Sequence, residues 1–170
     1  MSIQDLGAVG ELIAAIATVG TLIYLALQIR ANTAATQASS RLDVTRDYRD
    51  VMSLNLNLDN AKALRAGLRA YPDLDYDQRI LFSTVIADEA LFFQGVFAQH
   101  ETGQLEDETY EAYLQWFSCL IDTPGGTFWW DETARPVYMN RMVVAVDQRI
   151  ARGNLPSVLE MAGYREHVDA

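Results

Sequence analysis

An all-α fold is predicted: one N-terminal transmembrane helix that continues into a cytoplasmic helical bundle. Three observations lead there. Leu12 to Ile29 are 18 consecutive residues without a formal charge, the length expected of a membrane-spanning helix. The stretch from Leu22 to Leu58 contains neither Pro nor Gly, so the anchor helix can run on past the membrane. Downstream, apolar residues recur at three and four rather than at two, which is helical and not strand spacing.

The anchor comes first. Leu12, Ile13, Ile16, Val19, Leu22, Ile23, Leu25, Leu27 and Ile29 together favour insertion by about 4 kcal/mol. Thr18, Thr21 and Gln28 subtract from that, and no mid-span charge cancels it. A span needs about 20 residues at 1.5 Å each. With Arg30 at one boundary, the other falls near Gly10, which puts Glu11 at the rim, where it reaches water or takes a proton. The divisions expected are a short external N-terminus (1–5), a transmembrane anchor (6–30), a cytoplasmic helical domain (31–153) and a short last helix or tail (154–170).

Orientation follows from the flanks. Only Asp5 and the terminal amine carry charge before Glu11, whereas Arg30, Arg41, Arg46 and Arg49 follow the span. The positive-inside rule then places the N-terminus outside and the remainder in the cytoplasm. The leader is acidic and its apolar run is long, unlike a cleaved signal peptide.

The segment after the span carries Asp43/Asp47 and Arg46/Asp50 at helical spacing, a solvated face with weak ion pairs. Asp59 is expected to cap a short helix through Leu68, broken by Gly67 and "YPDLD". The helix from Asp75 to Glu101 has apolar residues on nearly every face, Phe82, Phe92, Phe93, Val96 and Phe97 among them, and should be central and covered on several sides. Gly103 ends it. "EDETYEAYLQWFSCLI" opens with acids that suit the helix dipole and carries the stripe Tyr110, Tyr113, Leu114, Phe117, Leu120 and Ile121. In "DTPGGTFWWDE", Thr123 and Pro124 fit an N-cap and first-turn proline, and Gly125-Gly126 permits close backbone approach. Pro136 is expected to open a helix bearing Met139, Met142, Val143, Val146 and Ile150, ended by Gly153.

Charge limits the function classes. The chain of 170 residues has a net charge of −10, and residues 30–170 carry 13 basic against 21 acidic groups, or −8. Such a domain is repelled by nucleic acid and by anionic headgroups, so no nucleic-acid partner is expected. The single Cys119 excludes an intrachain disulfide and any Cys-pair zinc motif.

No residue set announces catalysis, a metal or a cofactor. Asp88, Glu89, His100 and Glu101 come nearest, but residues 89 and 100 stand about 16 Å apart along a helix. The Glu-x-x-His pairs of a di-iron bundle are missing. These four are expected to be polar groups on the wet edge of a buried helix, and His167 a solvated residue of the tail. Cys119 is expected to be a small buried hydrophobe, and "TPGGTF" lacks the Lys of a phosphate loop.

Two other features suggest contact. Gly10, Ala14, Ala17 and Thr21 form a seam of small residues on one face, as in close helix pairs in membranes. Trp129 and Trp130, expected mainly at a helix junction, are alternatively a partner contact or a membrane-interface pair.

"DLGAVGELIAAIATVGTLIYLALQIRANT" followed by an acidic helical region and "TPGGTFWW" resembles a family of bacterial single-pass membrane proteins of uncharacterised activity. Its members share an anchor ending in a "TLIYLALQIRxNT"-like string and a late "GGxxFW"-like turn, over almost the whole chain. The resemblance implies an inner-membrane protein with a helical domain, and carries over no activity. The expected function is a membrane-anchored interaction or accessory module whose partners are the lipid bilayer and a protein or another copy of itself. The alternatives are a homo-oligomeric channel or sensor with Glu11 at its outer mouth, and an enzyme with an unrecognised site.

Overall fold

The computed structural model describes residues 3–54 and 57–161. Among them every regular element is helical, so the chain is all-α. It divides into two compact units, Met1–Ser39 and Ser40–Ala170. Helix α1 (Ile3–Leu54) runs without a break.

Within the first unit, an 18-residue window of mean hydropathy 2.1 has none of its residues buried. Ten large apolar side chains from Leu12 to Ile29 are each 48–65% exposed. The polar side chains among them are satisfied within the helix. Thr18 Oγ1 donates to the Ala14 carbonyl at 2.8 Å, Thr21 Oγ1 to Ala17 at 2.9 Å, and Gln28 Nε2 to Tyr24 Oη at 2.9 Å. Such bonds lower the cost of placing these groups in hydrocarbon, where water is unavailable.

The second unit is built from residues 40–54 of α1 and five more helices: α2 (Leu58–Ala70), α3 (Tyr76–Glu101), α4 (Asp107–Ile121), α5 (Pro124–Trp129) and α6 (Asn140–Ala151). Helix α3 lies between α2 and α4, α4 also packs on α6, and α5 lies against α2. The core runs from Leu64 and Leu68 through Phe82, Ile86, Phe93 and Phe117 to Trp130 and Met142. Residues 40–54 join it through Val44, which is buried, and Tyr48, whose ring meets Phe92 and Tyr113 at 5.2 and 5.6 Å.

Local chemistry explains most helix ends. Asp75 and Gln78 form a reciprocal capping box at the start of α3, with bonds of 2.8 and 3.1 Å. Thr123 caps α5 by accepting from Gly126 N at 3.0 Å, with Pro124 at the first helical position. Asp107 and Glu108 occupy the first turn of α4.

Several boundaries differ from expectation. The cap of α2 is Asn57, whose Oδ1 accepts from Asp59 N at 2.9 Å, rather than Asp59. Gly67 does not break α2, because tertiary packing fills the space where its side chain would be. Pro136 opens no helix: a wide π turn, Trp130–Ala134, continues α5, and α6 begins only at Asn140. Arg135 fastens that turn by ion pairs to Asp131 and Asp147, while Trp130 Nε1 donates to Asp147 at 3.2 Å. Helix α3 is less covered than expected, with Ile80 and Leu91 exposed. The expected tail is partly anchored, since the 3₁₀ turn Val158–Glu160 buries Val158. His167 lies outside the described residues.

Candidate functional site

Residues 44–53 of α1 and 88–99 of α3 face each other across an open groove of about 570 Å³. Helix α1 contributes Val44, Asp47, Asp50, Val51 and Ser53; α3 contributes Asp88, Leu91, Phe92, Gly95, Val96 and Gln99. Positions 88, 92, 95 and 99 step by four, three and four, one straight seam along α3. The floor is apolar and the rim acidic. Asp47, Asp50 and Asp88 form no ion pair among the described residues, and no Lys, Arg or His lines the groove. The nearby Arg41 and Arg46 are engaged elsewhere, with Glu106 at 3.6 Å and Asp43 at 3.2 Å.

The four polar residues of α3 do not converge. Asp88 lines the groove. His100 Nε2 pairs with Asp107 Oδ1 at 2.9 Å and its ring stacks on Tyr110. Glu101 pairs with Arg141 at 2.9 Å. Glu89 departs most from expectation: it is 2% exposed, in the core rather than on a wet edge. No cluster of three or more His, Cys, Asp or Glu suited to a metal occurs among the described residues. Cys119 is buried as expected, and desolvation raises its thiol pKa, which favours the un-ionised form.

Burial pushes the Glu89 carboxyl up to about 7, with the neighbouring Asp88 charge adding to the shift. The Trp116 indole N–H lowers it in part by approaching the carboxylate, though not in the geometry of a well-formed hydrogen bond. The sign of the stability effect follows. Below pH 4.5 folded and unfolded chains both hold this proton. Between there and about pH 7 only the folded chain does, so stability falls as pH rises and levels off above. The total is about 3 kcal/mol. Glu89→Gln should therefore match the parent near pH 4 and exceed it by up to about 3 kcal/mol at pH 8. Melting curves of the full chain in mild detergent, read across that range, check it; a pH-independent difference would contradict it.

The anchor residues singled out by sequence, Gly10, Glu11, Ala14, Ala17 and Thr21, are all exposed on α1. Nothing lies within 4 Å of where a Gly10 Cβ would sit. Trp129 and Trp130, expected mainly at a helix junction, are 2% and 1% exposed. Trp130 stacks on Tyr138 at 6.1 Å and meets Phe117 edge-on at 5.7 Å. Both rings are consumed by the core, as large apolar area at a helix junction tends to be. Sequence reading missed the groove. Its two seams are legible singly, but their pairing depends on helices some 40 residues apart in the chain.

Comparison with protein-family models, with characterised proteins and with solved structures gives no match.

Proposed function

We propose that this chain is a membrane-anchored helical interaction module of the bacterial inner membrane. Residues 6–30 cross the bilayer, the N-terminus faces outward, and the helical domain lies in the cytoplasm. The observation that carries the reading is the exposed apolar run from Leu12 to Ile29, none of whose residues is buried. Exposed side chains of that size in one unbroken band need hydrocarbon or another protein around them. The other apolar helix, α3, has 44% of its apolar window buried and is accounted for as a core helix. Orientation rests on Arg30, Arg41, Arg46 and Arg49, and the family resemblance of residues 5–33 and 123–130 points the same way.

A reporter fused after Ala170 should be active in the cytoplasm and silent outside. The protein should stay with membranes through high-salt and carbonate washes and leave only with detergent. Release by salt alone would remove the span, and external reporter activity would invert the topology.

A further inference from the structure

We propose that the groove between residues 44–53 of α1 and 88–99 of α3 receives a basic amphipathic helix of a partner protein. This rests on the interaction-module reading and names the partner's chemistry. Length comes first. The seam from Asp88 to Gln99 spans three helical turns, about 16 Å, which suits a short helix held by apolar side chains at i, i+4 and i+7.

Charge sets the partner's other face. Three rim carboxylates, Asp47, Asp50 and Asp88, stand over an apolar floor with no lining cation. Lys or Arg flanking the partner's apolar stripe complements them, whereas an acidic helix is repelled.

Gly95 supplies an independent observation. It stands in the middle of α3, where Gly is about 1 kcal/mol worse than Ala. A Cβ added there would meet nothing within 4 Å. No packing among the described residues requires a missing side chain at this point, unlike Gly67 and Gly125. A glycine there does let another backbone come close. Leu91, one turn away and 55% exposed, supplies apolar surface beside the gap.

The test uses the full chain in phosphatidylcholine nanodiscs, with empty nanodiscs as the blank. The probes are two stapled helices of about four turns, each with Leu at i, i+4 and i+7; one carries Lys on its remaining faces and the other Glu. The Lys helix should bind at least about tenfold tighter than the Glu helix. Gly95→Phe fills the groove, and should weaken binding roughly tenfold or more while leaving the melting temperature equal or higher. Asp47→Asn with Asp50→Asn and Asp88→Asn should weaken it similarly, and Leu91→Glu gives a second, fold-neutral block. Neutralising Asp59, Asp77 and Glu108, which do not line the groove, should change little. Equal loss from this control set, or no effect of Gly95→Phe and Leu91→Glu, overturns the proposal. So does a self-association that Gly95→Phe abolishes while the Lys helix fails to bind, because the occupant would then be a second copy. Membrane retention is read on the same preparations, so failure of the groove is distinguishable from failure of the anchor.

Discussion

Gly125→Ala should unfold the helical domain. A Cβ at position 125 would lie 1.6 Å from the Gly67 carbonyl oxygen and 2.8 Å from its carbon, with Tyr71 N at 3.0 Å. All three are backbone atoms, and none can swing aside as a side chain can. Helices α2 and α5 would have to part, opening the packing around Leu68 and Trp129. A loss above about 4 kcal/mol is expected, in the range reserved for severe core disruption. Gly95→Ala is the internal control. The same methyl there meets nothing and should stabilise by about 0.5–1 kcal/mol through helix propensity. Thermal melts of both variants decide the matter, and a Gly125→Ala curve that overlays the parent would rule out the α2–α5 contact.

The second large effect is expected at Phe93. Its ring is buried and lies nearly parallel to Phe117 at 5.2 Å and to Tyr110 at 6.3 Å. Phe93→Ala removes the middle of that stack from between α3 and α4 and should cost about 3–5 kcal/mol. Phe92 is only half-buried, against Tyr48 and Tyr113, so Phe92→Ala should cost clearly less. The contrast between adjacent residues is the measurement. Equal shifts in melting temperature would mean that α3 is rotated from the orientation described.

The anchor and the amphipathic stripe of α4 were legible because each is a property of one segment: an uncharged run in one case, a period of three to four in the other. The Thr123-Pro124 cap was legible for the same reason. Gly67 was misread because a glycine that ends a helix and a glycine that admits a neighbouring helix look alike until the neighbour, here the Phe82 ring of α3, is known. Pro136 misled because a π turn can continue a helix and delay the next start. Glu89 shows the same limit in polar form. Its burial depends on α4 closing over it, and nothing in "IADEALFF" says which of two adjacent acids turns inward. The groove was hidden for a related reason, being made by the approach of residues 44–53 to residues 88–99.

Tyr48 has a consequence for the order of assembly. It is completed by Phe92 and Tyr113, the latter 65 residues later in the chain. At a synthesis rate of about 5–20 residues per second, Tyr48 and Val44 wait roughly 3–13 seconds for their partners to be made. Until Tyr113 is made, the apolar side of residues 40–54 has at most its α3 partner Phe92 and stays partly open to chaperones or to a neighbouring nascent chain. Premature termination before α4 would leave it so permanently. Truncations ending between residues 101 and 106 should therefore be cleared by proteolysis or aggregate, whereas chains released after residue 161 hide this surface from quality control.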